Sequence, residues 1–273
     1  MARRRTLARG GGVLPVGRAL AAAAVLLLAG CAAASPTPGA SSTVPVLRPQ
    51  VLAETPHDAS AFTEGFELDQ GVLWEGTGLA GKSQLRELDP ATGAVRRAAS
   101  LPGQLFGEGI SVVGDTVWQL TYQDHVVLEW DRATLTVRRQ LPFADEGWGM
   151  CTDGTRLIRS DGTATLHFQD PTTFAAAGSV DVTLDGQPVT ELNELDCSDG
   201  QVWANVWRTD RIVRIDPATG RVTAVVDASG LLTAQQRATT DVLNGIASVG
   251  GGEYLLTGKF WPTTFRVRFV PSS

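Results

Sequence analysis

Short runs of alternating apolar and polar residues recur along most of the chain, separated by residues that favour turns. Such runs predict β-strands, because successive side chains of a strand point to opposite faces of the sheet. Ile212, Val213 and Ile215 lie in one run, and the residues from Val222 to Val226 form the next. No segment has the period of a long amphipathic helix, and Leu231 to Arg237 predict at most a short helical turn. The pattern therefore predicts an all-β fold.

Turn phrases of one kind follow these runs at regular intervals. They begin at Asp89, Asp131, Asp170 and Asp216, with spacings of 42, 39 and 46 residues. In such a phrase the Asp side chain caps its own backbone, while Pro or Gly supplies the dihedral angles that a tight turn needs. Each phrase therefore predicts a hairpin turn between two strands.

A second kind of phrase opens each repeat. Its five copies are FTEGF from Phe62, FGEGI from Phe106, GWGMC from Gly147, LNELD from Leu192 and LNGIA from Leu243. Five units of about 40 to 50 residues, each with four short strands, predict a five-bladed β-propeller. A ring of six or seven blades would need units that the chain lacks, and a β-sandwich would not explain the repeat.

The two ends of the repeated region complement each other. The strand-like run from Val44 to Ala53 precedes the first unit, whereas Tyr254 to Val270 supply only the remaining strands of the last unit. We therefore expect the N-terminal strand to complete the last blade and to close the ring.

The first residues do not share this strand pattern. A basic segment from Arg3 to Arg18 precedes an apolar run from Ala19 to Ala29, which is too short to span a bilayer and ends in the sequence LAGC. LAGC is a lipobox, so residues 1–31 predict a lipoprotein signal peptide whose Cys31 receives the lipid. An ordinary signal peptide or an N-terminal membrane helix is the alternative.

Residues 32–43 are rich in Ala, Ser, Pro and Thr and predict a flexible tether, which leaves residues 44–273 as the propeller domain. We expect a protein that lies outside the cytoplasm and is anchored at the cell membrane only through the lipid on Cys31. We further expect a monomer.

The predicted mature protein is acidic. Without the five arginines of residues 1–31, it has 18 basic and 29 acidic side chains, a formal net charge of −11. This charge argues against a nucleic-acid partner, since DNA and RNA backbones are themselves negative. It favours positively charged substrates such as peptides with a free α-amine.

Two cysteines remain besides Cys31. Cys151 and Cys197 occupy the same position in the repeated phrases CTDG and CSDG, so they should lie close together in neighbouring repeats. Disulfides persist outside the cytoplasm, and we predict a Cys151–Cys197 pair, with two buried free thiols as the alternative.

In a propeller the innermost strand of every blade starts near the same end of the central axis. The opening phrases should therefore bring these side chains to one mouth: Glu64, Glu108, Trp148, Asn193 and Asn244. About 14 residues later, the next strand returns a second side chain, which in the second, fourth and fifth units is Tyr122, Trp207 and Lys259. This mixture of carboxylates, amides, aromatic rings and one ammonium predicts a concave site with convergent polar groups.

Lys259 is one of only two lysines, against 21 arginines. Because the chain otherwise uses arginine, a lysine at a position that returns to the mouth indicates a need for a compact ammonium. We therefore expect a functional role for Lys259, with a solvated lysine at a strand end as the alternative.

Other kinds of site are poorly supported. The three histidines, His57, His125 and His167, do not have the spacing of metal ligands. The chain has no nucleophile-elbow phrase and no glycine-rich phosphate loop between a strand and a helix. We therefore expect neither a metal nor a cofactor.

Nine phrases resemble those of the glutamine cyclotransferase family, the plant-type and bacterial glutaminyl-peptide cyclotransferases. They are FTEGF, FGEGI, QLTY, GWGMCTDG, SDGTATL, LNELD, ANVW, DVLNGIA and TGKFWP. The resemblance runs from about Phe62 to Phe265 and covers all five units in order. It implies an enzyme that turns the N-terminal glutamine of peptides into pyroglutamate and releases ammonia.

The same resemblance implies roles for individual residues. Glu108 is then the essential acid/base. The other pocket residues are Phe62, Trp148, Asn193, Trp207 and Lys259. The sequence departs from the family at Glu64, where relatives often have Gln, and at Tyr122, where Trp often follows Leu-Thr. These departures affect local substrate contacts more than the reaction.

In this mechanism Glu108 accepts a proton from the attacking α-amine and delivers it to the departing amide nitrogen. Asn193 orients the γ-amide, and Lys259 stabilises the oxyanion on the γ-carbonyl or holds Glu108 ionised. Glu64, if close to Glu108, should titrate with it as a coupled pair.

Two other classes of function remain open. A non-catalytic lipoprotein propeller could use the same aromatic mouth to bind peptides or glycans. A metal-dependent propeller hydrolase could use Glu64, Glu108, Asn193 and Asn244 as ligands of a hard cation. Release of ammonia from a Gln-initiated dipeptide, and its persistence in a chelator, separates the three.

Overall fold

The computed structural model describes residues 44–272. The predicted signal peptide, the tether and Cys31 lie outside these residues. Between residues 44 and 272 the chain forms β-strands and one short helix, so the all-β prediction is confirmed. No helix in this range is long and apolar enough to cross a membrane.

Three antiparallel sheets contain four consecutive strands each, and the N-terminal strand β1 (Val46–Pro56) precedes them. The first sheet consists of β2 (Thr63–Asp69), β3 (Val72–Thr77), β4 (Gln84–Leu88) and β5 (Val95–Ser100). The second consists of β6 (Gly107–Val113), β7 (Thr116–Thr121), β8 (Val126–Asp131) and β9 (Thr136–Pro142). The third consists of β10 (Met150–Thr152), β11 (Leu157–Arg159), β12 (Thr165–Gln169) and β13 (Ala176–Asp181).

The remaining strands form a two-stranded and an eight-stranded sheet. The small sheet is a hairpin of β14 (Thr183–Leu184) and β15 (Gln187–Pro188). The large sheet contains β16 (Leu192–Ser198), β17 (Gln201–Val206), β18 (Arg211–Ile215) and β19 (Val222–Asp227). After helix α1 (Ala234–Arg237), it continues with β20 (Leu243–Gly250), β21 (Glu253–Gly258) and β22 (Thr263–Pro271).

The N-terminal strand joins the two halves of the eight-stranded sheet, whose order is β16-β17-β18-β19-β1-β22-β21-β20. β1 pairs with β22 in antiparallel fashion, from Leu47 opposite Pro271 to Pro56 opposite Thr263. It also makes a short parallel contact with β19 at Val46 and Leu47. The predicted pairing of the N-terminal strand with the last strand is therefore observed.

The four predicted hairpin turns carry the expected Asp caps. In the first, the carboxylate of Asp89 accepts hydrogen bonds from two backbone N–H groups, at 2.8 and 3.0 Å. Gly93 ends this turn with a φ of +71°, and a side chain there would collide with the carbonyl oxygen of Pro56. The second and third turns place Leu135 and Phe174 in the same left-handed region, where burial of their side chains offsets the backbone strain.

Five apolar clusters between residues 44 and 272 lie between neighbouring groups of strands. One joins the first sheet to the second around Trp74 and Trp130, and another joins the second to the third around Trp118. The third sheet packs on β16–β19, and β16–β19 pack on β20–β22. The fifth cluster, around Phe66, joins the first sheet to β20 and β21. The core therefore passes through successive groups of strands and returns to the first.

A disulfide joins Cys151 on β10 to Cys197 on β16, with 5.5 Å between the Cα atoms. These strands begin the third sheet and the eight-stranded sheet, so the bond links neighbouring groups of strands. The structure thus contains the predicted pair and not two free thiols.

Candidate functional site

A pocket of about 160 Å³ lies where β2, β6, β10 and β16 begin and where β7, β17 and β21 end. Nine side chains line it: Phe62, Glu64, Phe106, Glu108, Tyr122, Trp148, Asn193, Trp207 and Lys259. Eight of these are among the nine site residues expected from the repeats and from the family resemblance together. Phe106 is the additional residue, and Asn244 is the predicted residue that does not line the pocket.

Four polar side chains stand at irregular points of β2, β6, β16 and β20. The register of β2 shifts at Glu64, and that of β6, β16 and β20 shifts at Glu108, Asn193 and Asn244. A β-bulge of this kind interrupts the regular ladder and re-aims the side chains of its residues. Each of these four polar residues therefore sits at a point where the backbone departs from ordinary strand geometry.

Glycine follows glutamate in the first two opening phrases because β2, β6 and the start of β10 approach one another closely there. A Cβ atom on Gly65 would lie 2.6 Å from the backbone nitrogen of Ile110, and one on Gly109 would lie 2.5 Å from the carbonyl oxygen of Trp148. Gly109 instead donates a backbone hydrogen bond to that oxygen, at 2.7 Å. The EG pairs therefore allow the two glutamates to lie side by side.

Glu64 is held by two donors. Its Oε1 accepts a hydrogen bond from Nζ of Lys259 at 2.7 Å, and its Oε2 accepts one from Nδ2 of Asn244 at 2.9 Å. Burial raises the pKa of Glu64 from 4.5 to about 7, although the ammonium of Lys259 opposes the shift. Asn244 is fully buried and donates also to the carbonyl oxygen of Thr63. Asn244 therefore supports Glu64 instead of contacting the pocket, which corrects its predicted place among the substrate contacts.

Glu108 and Glu64 both line the pocket, and the negative charge of Glu64 acts on Glu108. Burial, reinforced by the negative charge of Glu64, raises the pKa of Glu108 well above 4.5. Two carboxyl groups that share one ammonium titrate as a pair, so the pair retains a proton at neutral pH. We assign that proton to Glu108, because Lys259 and Asn244 both donate to Glu64.

Lys259 contacts both the acid pair and the aromatic wall. Its Nζ lies 2.7 Å from the carboxylate of Glu64 and 4.4 Å from the centroid of the Phe62 ring, a cation–π contact. Its side chain is only 8% exposed. Lys259 is therefore part of a buried ion pair and not a solvated lysine at a strand end.

Aromatic side chains form the walls of the pocket. Trp148 and Trp207 meet edge to face, with 5.3 Å between the ring centroids. Phe106 contacts Phe62 at 6.0 Å and Tyr122 at 5.8 Å. Such walls are apolar, so they strengthen the electrostatic interactions of the acid pair by keeping water away from it.

Asn193 is the amide of the pocket wall. Its side chain is 3% exposed, and Oδ1 has no hydrogen-bond partner within residues 44–272. A buried amide oxygen without a partner is costly, so this atom is available to accept a hydrogen bond from a ligand N–H.

Phe106 and Glu146 were missed by the sequence reasoning. Phe106 opens its phrase as Phe62 opens the first, so the equivalence of the two phrases indicates it. Glu146 accepts a hydrogen bond from the indole Nε1 of Trp148 at 3.3 Å. It lies in a loop, and its own side chain has no counterpart in the other repeats that would single it out.

Within residues 44–272, no group of three or more His, Cys, Asp or Glu side chains is arranged to hold a metal ion. The imidazole of His57 contacts Glu75, and that of His167 contacts Asp161, both at 2.9 Å. These two histidines therefore belong to separate pairs with carboxylates.

Comparison with known proteins gives the same answer as the motifs. The family model for glutamine cyclotransferase matches residues 22–269. The glutaminyl-peptide cyclotransferase of Arabidopsis thaliana is 37% identical over 233 residues, which cover 82% of this chain and 72% of that protein. The crystal structure of Myxococcus xanthus glutaminyl cyclase superposes with a TM-score of 0.75 at 36% identity, over 84% of this chain and 100% of the other. The chain therefore belongs to the glutamine cyclotransferase family.

Proposed function

We propose that this chain converts the N-terminal glutamine of peptides to pyroglutamate with release of ammonia, and that Glu108 transfers the proton. The relative from Arabidopsis thaliana and the solved structure from Myxococcus xanthus are both named for cyclisation of glutaminyl groups. The observation that carries the proposal is the pair of Glu64 and Glu108, two buried carboxyl groups that line a small aromatic pocket together with one ammonium, that of Lys259.

The pocket suits a single residue. Its volume of about 160 Å³ is well below the roughly 300–1,000 Å³ of sites for drug-sized ligands. It therefore admits the side chain and α-amine of the terminal glutamine, while the rest of a peptide stays outside. Confinement in this space favours the folded conformation in which the amine lies against the γ-carboxamide.

Ring closure starts from the neutral α-amine, which is accessible at neutral pH because its pKa is about 8. The amine nitrogen attacks the γ-carboxamide carbon, and the carbonyl oxygen becomes an oxyanion. Protonated Glu108 then donates its proton to the γ-amide nitrogen, so that the C–N bond breaks and ammonia leaves. The carbonyl re-forms, and the Glu108 carboxylate takes the surplus proton from the former amine nitrogen, which restores the starting state.

This order of proton transfers differs from the one that the sequence suggests. The raised pKa of Glu108, caused by burial and by the charge of Glu64, makes it an acid before the reaction begins. It therefore donates first and accepts second. General acid–base catalysis of this kind contributes about 10²- to 10⁴-fold to the rate.

Three neighbours position the reacting groups. The negative charge of Glu64 keeps the proton on Glu108, and its ion pair fixes Lys259 at the pocket wall. An ammonium has three N–H donors, so Lys259 can also donate to the developing oxyanion. Asn193 accepts a hydrogen bond from the substrate through its unpartnered Oδ1.

The proposal includes a five-bladed β-propeller whose last blade is closed by β1. Five groups of four strands pair in chain order: β2–β5, β6–β9, β10–β13, β16–β19, and β20–β22 with β1. The apolar clusters between successive groups, with one that joins the last group to the first, support this arrangement. The parallel contact of β1 with β19 is then a contact between the last two blades.

Export and anchoring through Cys31 are also part of the proposal. The disulfide between Cys151 and Cys197 supports a location outside the cytoplasm, where such bonds persist. Labelling with a radioactive fatty acid tests the anchor. We expect label on the wild-type chain and none on Cys31→Ser; equal labelling of both would contradict the site.

The activity is tested with the dipeptide Gln-Ala and the full-length chain, by ammonia release and by the mass of the product. Glu-Ala is the control, because it lacks the amide nitrogen that leaves as ammonia. Ammonia from Gln-Ala alone, unchanged by a chelator, is the expected result. No ammonia would favour a binding protein, and loss of activity in the chelator would favour metal-dependent chemistry.

A further inference from the structure

A peptide held by its terminal glutamine crosses the rim of the pocket with its second and third residues, since a cavity of about 160 Å³ holds only the first. Side chains at the rim therefore select among peptides. Trp207 lines the pocket, and Arg208 follows it in the turn between β17 and β18. Trp207 is partly buried, whereas Arg208 is exposed.

Arg208 is held in one position beside the pocket wall. Its Cζ lies 4.0 Å from the centroid of the Trp207 ring, a cation–π contact. Its backbone has a φ of +60°, a left-handed conformation that costs a non-glycine residue free energy and directs its side chain. The backbone N–H and the hydroxyl of Thr209 close the turn, since both donate to the carbonyl oxygen of Val206, at 3.2 and 2.6 Å.

The guanidinium of Arg208 has no carboxylate partner in the part of the chain that the structure describes. It lines a second cleft, of about 260 Å³, in which the other arginine, Arg237, is paired with Asp210 at 3.1 Å. Asp241 in this cleft caps the next backbone N–H at 2.7 Å, and its own N–H donates to the carbonyl oxygen of Lys259 at 2.9 Å. The cleft thus adjoins the pocket, and its two arginines face two aspartates, Asp210 and Asp241. Arg208 is the arginine of the cleft that makes no ion pair within residues 44–272.

We propose that Arg208 binds a carboxylate of the substrate, contributed by an acidic residue at the second or third position, and that such peptides are preferred. The proposal rests on the cyclase function proposed above. A planar guanidinium donates two parallel hydrogen bonds to a carboxylate. The contact with the ring of Trp207 keeps that of Arg208 beside the pocket wall. The net charge of −11 of the predicted mature protein would instead favour basic peptides. Arg208 and the net charge of the protein therefore predict opposite preferences.

Two series of amidated tripeptides separate these preferences, with the full-length chain at low ionic strength. The first is Gln-Glu-Ala, Gln-Gln-Ala and Gln-Lys-Ala, and the second is Gln-Ala-Glu, Gln-Ala-Gln and Gln-Ala-Lys. In at least one series we expect kcat/KM to fall in the order Glu, Gln, Lys, with about three- to tenfold between Glu and Gln. The preference should shrink as salt is added, because salt screens exposed charges. Equal values, or a preference for Lys in both series, would overturn the proposal.

Arg208→Gln removes the charge and keeps a long polar side chain. We expect the ratio of kcat/KM between the Glu and Gln peptides to fall to about one. Arg221→Gln is the matched control, because Arg221 is also exposed but lies in the turn between β18 and β19, and it should keep the wild-type ratio. A ratio that survives Arg208→Gln would refute the role of Arg208. Absence of ammonia from every peptide would instead refute the cyclase function itself.

Discussion

Glu64 and Glu75 are buried carboxylates on adjacent strands of the first sheet, with side chains 1% and 0% exposed, but their surroundings move their pKa values in opposite directions. Glu75 accepts hydrogen bonds from Nε2 of His57 at 2.9 Å and from the hydroxyl of Thr63 at 2.7 Å, and it lies 3.4 Å from Arg86. Burial alone would raise the pKa of Glu75, but these partners outweigh burial and lower it below 4.5.

Glu64 shares its single ammonium, Lys259, with a second carboxyl group, Glu108. There burial prevails, and the pKa of Glu64 rises to about 7. Because the two sites are equally enclosed, the difference comes from the number of cations and donors for each carboxylate. A carboxylate with several cationic partners is a structural anion, whereas two acids with one cation retain a proton that a reaction can use.

His57, the partner of Glu75, also connects the segment after β1 to the segment between β21 and β22. Nδ1 of His57 lies 2.7 Å from the carbonyl oxygen of Trp261, while Nε2 contacts Glu75. Both ring nitrogens therefore donate, and the imidazole carries a positive charge. The backbone N–H of His57 donates to the carbonyl oxygen of Pro262 at 2.9 Å. These contacts fix the segment that follows Lys259.

Glu108→Gln changes the carboxyl pair that carries the transferable proton, and it should have the largest effect on activity. The variant keeps the shape of the side chain but has no acidic proton to give to the departing amide nitrogen. We expect kcat on Gln-Ala to fall by at least about 10²-fold, while the free energy of unfolding does not decrease. Near-normal turnover in a folded variant would remove Glu108 from the proton transfer.

His57→Gln tests the structural role of Glu75 and its partners. It removes a charged partner of Glu75 and the hydrogen bond from Nδ1 to the carbonyl oxygen of Trp261. We therefore expect the free energy of unfolding in urea to fall by about 2 kcal/mol. The matched control is His167→Gln, since His167 pairs with Asp161 at the same distance of 2.9 Å but is 26% exposed. The control should cost less than about 1 kcal/mol. Equal losses would show that burial of the His57 pair adds nothing.

The effect of His57→Gln depends on pH. Burial alone would lower the pKa of His57, but the hydrogen bond and charge of Glu75 and the carbonyl of Trp261 raise it above 6.5. Its contribution to stability is therefore full below pH 6.5 and disappears as the pH rises through the raised pKa. Glu75, with a lowered pKa, contributes above pH 4.5 and loses its contribution as the pH falls through that pKa. Wild type and variant should differ most between pH 4.5 and 6.5; a difference that grows in alkaline solution would contradict this assignment.

The repeats predict the pair of Glu64 and Glu108, but they do not predict the contacts of His57. Glu64 and Glu108 could be placed because equivalent positions of successive units meet at one mouth, so a position in the repeat predicts a position in space. His57 lies before the first opening phrase, and its partner Trp261 is 204 positions away. No repeat relates these two residues, because their contact arises only where the N-terminal strand β1 meets the last strands.

The pattern also does not show which neighbour covers a side chain. Asn244 occupies the same place in its phrase as Asn193. However, its Nδ2 donates to Glu64 and to the carbonyl oxygen of Thr63, and the residue is fully buried. Likewise, Lys259 was expected near the oxyanion or Glu108, and its ion pair with Glu64 depends on side-chain geometry that the repeat does not specify.

Glu64→Gln tests whether the charge of Glu64 keeps the proton on Glu108, and it should have the smallest effect on rate. Its amide oxygen can keep the hydrogen bond from Lys259, whereas its amide nitrogen replaces the oxygen that accepts from Asn244. The negative charge beside Glu108 is gone. The pKa of Glu108 therefore falls, and the proton that ammonia needs is lost at a lower pH. We expect the alkaline limb of the profile of kcat against pH to move to lower pH, with less than about tenfold change in kcat on the acidic side.

Glu67→Gln is the matched control for this shift. Glu67 lies on the same strand as Glu64; burial raises its pKa to about 8, and its Oε2 accepts a hydrogen bond from the backbone N–H of Val112 at 3.1 Å. A carboxyl group that is protonated at neutral pH resembles glutamine in charge and shape, so this substitution should leave the alkaline limb in place. If both variants moved the limb equally, the shift would reflect a general change in the interior. If Glu64→Gln did not move it, Glu64 would not be the charge that keeps the proton on Glu108.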